Sequence, residues 1–294
     1  MFEQKIIQFT TFFKNIFPPA KEYLFFSKKE HHPFQPTEFD YCENNAWWLS
    51  EISMLAYDTP FFVEQAMTSA GFRHVGSLKK QSHSCFIFEQ DDFIIIAFRG
   101  TQLHGRNGIS DYLTDIQVRQ HSLSNGIQVH RGFYKAFQEV FPGSGMLEEI
   151  ITGLSPDKPI WITGHSMGGA LALLTANSIK DRPVLVYTFG SPKVGNKCFV
   201  DSLTFRHHRI VNQGDPVPTL PPNIHIGKEI EGYYHYGELK TMKIIDLPKT
   251  NRIFKNISGF MDSPANKYAF FAHSPIVYCL NAKTDLNEPD TFFR

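Results

Sequence analysis

The stretch WITGHSMGGALALLTA, residues 161–176, constrains the fold more than any other part of the sequence. An apolar run typical of a buried strand leads into a Gly-His-Ser-Met-Gly turn, and small apolar residues typical of a packed helix lead out of it. Glycines two positions before and two positions after Ser166 allow a sharp turn in a crowded backbone. The pattern therefore predicts a strand-to-helix turn that presents the hydroxyl of Ser166 at the carboxyl end of a sheet.

Other apolar strand segments alternate with helical segments along the chain. Helical spacing covers residues 43–57 and 60–72, and the strand-like runs are FIIIAF, KPIWITGHS, PVLVYTFGSP and HHRIVNQGDPVP. Such alternation is typical of a parallel sheet with helices on its faces. We predict an α/β domain with a largely parallel central sheet.

Several finer expectations accompany this fold. Residues 83–101 are predicted to form two strands about an acidic turn, and a Ser-Asn-Gly turn is followed by one aromatic-rich helix that runs to about Glu149. Residues 231–247 are predicted to add a pair of strands, and residues 263–282 a closing helical segment.

The first 37 residues are predicted to be an extension, and residues 38–294 a single α/β domain. In residues 1–17 the apolar side chains recur every three or four positions, which indicates an amphipathic helix that could lie on a membrane surface or dock on the domain. Four prolines break the connector that follows. The sequence shows neither a signal peptide nor an apolar run long enough to span a bilayer, which favours a cytoplasmic or membrane-peripheral protein.

Charge and cysteine content exclude other classes of protein. The 294 residues include 29 basic and 29 acidic side chains and contain no basic run, so a dedicated nucleic-acid binder is not expected. The four cysteines are far apart and form no Cys-x-x-Cys pair, which indicates neither a metal site nor a disulfide framework. We expect no cofactor.

A reactive serine in this setting needs an acid and a histidine later in the chain. Asp181 falls in a helix-to-strand connection at the wrong end of the sheet, and Asp201 falls on a solvated helix. Asp215 follows the strand RIVNQ directly, in a turn between Gly214 and Pro216. Asp215 is therefore the predicted acid.

The histidine is less certain from order alone. His225 stands near a proline-rich turn, His235 in an apparent strand among tyrosines, and His273 just before a Ser-Pro helix start. Sequence order leaves the choice between His235 and His273 open. His273 is favoured because its position fits a mobile imidazole on a loop after the last strand. His165 adjoins the serine but should point away from it, which predicts a structural role.

The helix that begins at Met167 directs its free amide groups and the positive end of its dipole toward Ser166. The amide of Met167 is therefore predicted to bind an oxygen that becomes negative during acyl transfer.

Six motifs in order resemble the fungal-type (class 3) lipase family of α/β-hydrolases: FRGT, VHRGFYKAF, GHSMGGALA, TFGSPKVGN, NQGDPVPTLPP and AHSPIVYCL. The resemblance runs from about residue 43 to residue 282. It implies the triad Ser166, Asp215 and His273, and it returns His235 to a structural role. It also implies that Thr101 contributes its amide to the oxyanion hole and that Asp115 holds the Thr101 hydroxyl.

The function that the resemblance implies is hydrolysis of acyl esters of lipids through an acyl-enzyme. Phospholipase A1 or aryl (feruloyl-type) esterase activity is the alternative within enzymes, since pocket shape decides the substrate. A catalytically silent membrane-docking or partner-binding module is the alternative outside enzymes. The segment QLHGRNGISDYLTD, where the family often has a lid, is polar, which argues against a strongly apolar lid face and against action on bulk fat droplets.

Overall fold

The computed structural model describes residues 23–80, 83–101, 119–141, 146–226, 229–243, 269 and 271–286. The helix predicted for residues 1–17, the polar segment 102–115 and Asp115 lie outside the described residues.

A seven-stranded sheet forms the centre of the fold. The described strands are Arg73–Lys80 (β1), His83–Glu89 (β2), Ile94–Phe98 (β3), Gln120–Ser122 (β4), Gln128–His130 (β5), Ile160–His165 (β6), Val184–Phe189 (β7), Arg206–Asn212 (β8), Ile224–Ile226 (β9), Glu229–Glu231 (β10) and Glu238–Met242 (β11). The sheet has the order β1-β2-β3-β6-β7-β8-β11. Strands β3, β6, β7, β8 and β11 run parallel, whereas β1, β2 and β3 pair antiparallel. The carboxyl ends of five parallel strands therefore meet at one edge.

Helices cover both faces of the sheet. The described α-helices include Glu43–Leu55 (α1), Pro60–Ser69 (α2), Arg131–Val140 (α3), Met146–Gly153 (α4), Met167–Ser178 (α5), Lys197–Asp201 (α6) and Pro275–Asp285 (α7). On β3, Ile95 and Ala97 pack in the core with α1 and α7, while Ile94 and Ile96 pack in the core with α3 and α5. Alternate residues of each central strand thus enter opposite cores, as the pleat requires.

The prediction of a largely parallel sheet flanked by helices is confirmed, and the structure differs from the finer expectations at two points. Strand β1 was not expected: it is an edge strand, and edge strands carry charged side chains that hide the apolar pattern. The helix expected to run to about Glu149 is two helices, α3 and α4, since Phe141 leaves helical geometry before Pro142. Of the pair of strands expected in residues 231–247, the described part contains β11, which joins the main sheet in parallel with β8, while residues 244–247 lie outside the described residues.

The first described residues pack on α1. The buried carboxylate of Glu51 accepts hydrogen bonds from the hydroxyl of Tyr23, from the amide of Phe26 at 3.1 Å and from the Trp47 indole at 3.1 Å. Burial raises the pKa of Glu51 to about 7. Lys283 of α7 donates to Ser27 of the same segment. Residues 23–27 are therefore tied to two helices of the core by buried polar contacts.

Among the described residues, no helix has both the length and the apolar character needed to cross a bilayer.

A buried histidine on β8 links this strand to β7 and to the segment before β11. His207 on β8 is 3% exposed; its Nδ1 donates to the carbonyl of Tyr236 at 2.8 Å, and its Nε2 accepts from the Thr188 hydroxyl at 2.9 Å. Only the neutral ring can donate at one nitrogen and accept at the other. Burial lowers the pKa of His207 well below its ordinary value.

We expect this histidine to make folding sensitive to acid. Below about pH 6.5 the unfolded chain takes up a proton at His207 that the folded chain excludes, so stability falls with decreasing pH by up to about 1.4 kcal/mol per unit for this group. Urea unfolding of the wild type and His207→Gln between pH 7.5 and 5 measures the effect. Glu51 contributes equally to both proteins, so the variant should show the shallower slope, and parallel slopes would contradict the expectation.

Candidate active site

The turn between β6 and α5 holds Ser166 in a backbone conformation that side chains rarely adopt. Its φ and ψ are 57° and −128°, a geometry that costs about 1–3 kcal/mol and is kept where the surroundings enforce it. The amide of Ser166 donates to the carbonyl of Phe189 on β7 at 2.9 Å, and its carbonyl accepts from Gly169 at 2.9 Å. The turn is thereby fixed on both sides.

Glycines allow the strand and the helix to meet at this turn. A Cβ added to Gly164 would lie 2.3 Å from the carbonyl carbon of Gly168, and a Cβ on Gly168 would lie 2.4 Å from the carbonyl oxygen of Phe98. Contacts this short do not occur between real side chains and backbone. The first turn of α5 is therefore pressed against both β6 and the end of β3.

Asp215, the predicted acid, lies in the turn after β8. Asp215 is 6% exposed, and its amide donates to the carbonyl of Asn212 at 3.1 Å. Its Oδ1 accepts from the amide of Val217 at 2.9 Å, and its Oδ2 accepts from the hydroxyl of Tyr278 at 2.6 Å. These two donors fix the plane of the Asp215 carboxylate independently of His273.

His273 joins the acid to the serine. Its Nδ1 lies 2.9 Å and 3.0 Å from the two carboxylate oxygens of Asp215, and its Nε2 lies 2.9 Å from Oγ of Ser166. Because a carboxylate only accepts, Nδ1 carries the proton and Nε2 is left to accept from the hydroxyl. All three residues are buried.

The other candidates lie elsewhere. His235 bonds through Nε2 to the carbonyl of Pro218 at 2.7 Å, and burial is the main cause that lowers its pKa to about 4. Asp201 pairs with Lys197 on α6, and Asp181 lies between α5 and β7 at the opposite edge of the sheet. None of the three is brought to Ser166.

The two predicted oxyanion residues are in contact. Thr101 follows β3, and its hydroxyl donates to the Met167 sulfur at 3.5 Å. Met167 is the first residue of α5, where amide groups have no partner within the helix. Thr101 and Met167 therefore stand together beside Ser166, while Asp115 lies outside the described residues.

Sequence reasoning missed the residues that hold the triad in place. The hydroxyl of Tyr278 accepts from the amide of Asn212 at 3.1 Å while it donates to Asp215. The side-chain amide of Asn212 donates to the carbonyl of Ala272 at 2.9 Å and accepts from Asn281 at 2.6 Å. The position of Asn212 at the end of an apolar strand run is a weak sequence signal for such a role. No sequence signal indicates this role for Tyr278.

This arrangement can turn a hydroxyl into a nucleophile. His273 can take the proton of Ser166, and Asp215 can stabilise the imidazolium that forms. Helix α5 places its positive end beside the same oxygen.

We expect Gly190→Ala to disable the site while Gly71→Ala does not. Both glycines have left-handed φ, +59° and +99°. A Cβ at Gly190, however, would lie 2.7 Å from Oδ2 of Asp215 and 3.1 Å from Nδ1 of His273, whereas Gly71 meets no atom closer than 3.7 Å. The measurement is the rate at which a fluorophosphonate labels Ser166, together with the melting temperature.

Displacement of the acid by about 1 Å should slow labelling of Gly190→Ala by roughly 100-fold. Gly71→Ala should lose only about 1–2 kcal/mol of stability. Equal labelling rates in the two variants would contradict the crowding argument.

The chain is similar to known lipases over part of its length. Residues 95–225 match the family model for lipase (class 3). The secreted mono- and diacylglycerol lipase 1 of Fusarium solani is 33% identical over 134 residues, which are 44% of this chain and 39% of that protein. A lipase of Rhizomucor miehei is 34% identical over 165 residues, 51% of this chain and 42% of that protein. A phospholipase A1 of Oryza sativa subsp. indica, EG1, is 27% identical over 156 residues, 44% of this chain and 36% of that protein.

A solved structure, the Rhizomucor miehei lipase propeptide complex, superposes with a TM-score of 0.50 at 25% identity and covers 67% of this chain and 64% of that one. The chain spans less than half the length of each curated relative. The matched range includes Thr101, Ser166 and Asp215, while His273 lies beyond it. The fold and these similarities together show that residues 95–225 resemble the class 3 lipase family of α/β-hydrolases.

Proposed function

We propose that the protein is a serine hydrolase that cleaves carboxylic esters of lipids through an acyl-enzyme. The observation that carries the proposal is the unbroken path of hydrogen bonds from Oγ of Ser166 through His273 to Asp215, with heavy-atom distances of 2.9, 2.9 and 3.0 Å. Similarity to a mono- and diacylglycerol lipase and to a fungal lipase supports lipid esters as the substrate class.

In the proposed mechanism Nε2 of His273 takes the hydroxyl proton as Oγ of Ser166 attacks the ester carbonyl carbon. Asp215 stabilises the imidazolium through Nδ1–H. The tetrahedral intermediate collapses when the imidazolium gives its proton to the leaving alcohol, which leaves the acyl group on Ser166. Water, deprotonated by His273, then attacks the acyl-enzyme and releases the carboxylic acid. The steps need no metal or organic cofactor.

The amides of Thr101 and Met167 are proposed to bind the oxyanion. Their contact through the hydroxyl and the sulfur keeps both residues at the mouth of the turn. Each such donor is worth roughly 100- to 1000-fold in turnover. We also propose that Asp115 holds the Thr101 hydroxyl.

Phospholipid hydrolysis is a second candidate, favoured by the similarity to a phospholipase A1. The triad acts on the ester carbonyl in both cases, so the head group is selected elsewhere in the pocket.

We further propose the division into an extension, residues 1–37, of which residues 23–27 dock on the domain, and a hydrolase domain, residues 38–294, with the protein at the periphery of a membrane. The support is the helical spacing of Phe2, Ile6, Phe9, Phe13 and Ile16, which would place their side chains on one face of a helix suited to a lipid interface.

We expect Ser166→Ala to abolish both fluorophosphonate labelling and hydrolysis of short- and long-chain nitrophenyl esters. Serine replaced by alanine removes the nucleophile with little change in volume, so folding should be unaffected. Ser191→Ala is the matched control: this buried serine follows β7 at the same edge, and its hydroxyl donates to the carbonyl of Pro192. A wild type that is neither labelled nor active would point instead to a silent docking module.

Liposomes, triglyceride emulsion and soluble esters then rank the substrates. Removal of residues 1–17 should weaken binding to liposomes while turnover of a soluble nitrophenyl ester stays near that of the full chain, because the described contacts that tie the chain to α1 begin at Tyr23. Cosedimentation and esterase assays measure the two effects. An equal loss of both would show that the segment belongs to the folded core.

A further inference from the structure

His165 lies behind the serine and contacts the backbone of the catalytic histidine. It is the last residue of β6 and is 1% exposed. Its Nε2 lies 2.7 Å from the carbonyl oxygen of His273, and its Nδ1 lies 2.8 Å from the hydroxyl of Tyr57. The proposed reaction uses neither of these two side chains.

The two hydrogen bonds fix the state of the ring. A carbonyl oxygen only accepts, so Nε2 of His165 carries the proton and donates it to His273. In the neutral ring Nδ1 is then an acceptor, and the Tyr57 hydroxyl is its donor. Burial lowers the pKa of His165 well below its ordinary value, and the neighbouring His273 lowers it further. The ring is thus a neutral bridge with one defined tautomer.

Together with Tyr57, the His165 ring connects the end of β6, the backbone before Thr101 and the backbone of His273. A Cβ on Gly100 would lie 2.1 Å from the Tyr57 hydroxyl and 2.5 Å from the carbonyl oxygen of His165. Tyr57 therefore packs against the backbone just before Thr101, and His165 connects that point to the backbone of His273.

The backbone of His273 is held from two directions. Asn212 donates to the carbonyl of Ala272 at 2.9 Å, and His165 donates to the carbonyl of His273 itself. The imidazole also packs against the ring of His165 in a tilted arrangement, with ring centroids 4.6 Å apart and an interplanar angle of 37°. Loss of the His165 contact removes the side-chain donor to the carbonyl of His273 and keeps the donor from Asn212 to the carbonyl of Ala272.

We propose that Tyr57 and His165 are positioning residues for the general base: they hold the backbone and ring of His273 so that its Nε2 stays in line with the Ser166 hydroxyl. The inference rests on the proposed hydrolase function. Neither residue reaches the substrate. Their effect is on the rate of proton transfer rather than on substrate binding.

Three variants and a control test the inference. Tyr57→Phe removes the hydroxyl that donates to Nδ1, and His165→Leu removes the donor to His273. His165→Gln keeps a side-chain N–H donor that can reach the carbonyl oxygen of His273, as Nε2 of His165 does. Thr163→Val is the matched control, because Thr163 lies two residues earlier on the same face of β6 and its buried hydroxyl donates to the carbonyl of Leu49 at 3.2 Å, away from the triad.

Active-site titration separates positioning from folding. The amplitude of fluorophosphonate labelling counts folded sites, and its rate reports the reactivity of Ser166. We expect full amplitude in Tyr57→Phe, with the labelling rate and kcat on a soluble nitrophenyl ester reduced by about 10- to 100-fold and KM near the wild-type value. His165→Leu should fall at least as far, His165→Gln should recover most of the rate, and Thr163→Val should match the wild type in rate per titrated site.

A spectroscopic readout makes the test independent of hydrolysis. The proton between Nδ1 of His273 and Asp215 gives a low-field NMR resonance, which should shift or broaden in Tyr57→Phe and His165→Leu but not in Thr163→Val. If the wild type is inert and unlabelled yet the resonance responds in this way, the hydrolase proposal fails while the bridge stands. Wild-type rate per titrated site and an unchanged resonance in Tyr57→Phe would overturn the inference.

Discussion

The close approach of backbone to backbone around Ser166 is the constraint on which the rest of the site depends. With no side chain at Gly164 or Gly168, the first turn of α5 reaches both β6 and the end of β3. This contact forces the unusual dihedral angles of the serine and brings Thr101 to Met167. One crowded junction thus sets the direction of the Ser166 hydroxyl and the position of the proposed oxyanion donors together.

The positions of Asp215 and His273 depend on a second constraint, a buried polar network. Asn212 at the end of β8 is bonded to the segment that carries His273 and to α7, and Tyr278 of α7 returns a hydrogen bond to Asp215. A buried group left without its partner costs about 1–3 kcal/mol, so the members of such a network stabilise one another's positions. Segments distant in sequence therefore meet with little freedom.

Features that depend on the local sequence pattern could be predicted from the sequence. Features that depend on contacts between distant residues could not. The parallel strands, the turn at Ser166 and the placement of Asp215 follow from apolar runs and glycine positions, and the structure has them. Strand β1 was missed because its edge position tolerates charges, and Tyr278 because its partner is 63 residues away. The choice of His273 over His235 also required family resemblance, since both follow Asp215 and only packing separates them.

His165 shows why a residue beside the nucleophile can matter without facing it. Strand alternation turns its side chain away from Ser166, which is why the sequence indicates only a structural role. In the fold that direction leads to the backbone of His273, and a neutral imidazole offers one donor and one acceptor on opposite sides of a rigid ring. A glutamine can supply both groups only by ordering a flexible chain. A rigid bridge loses less entropy for each contact, and this favours histidine where the geometry of a proton transfer must be kept.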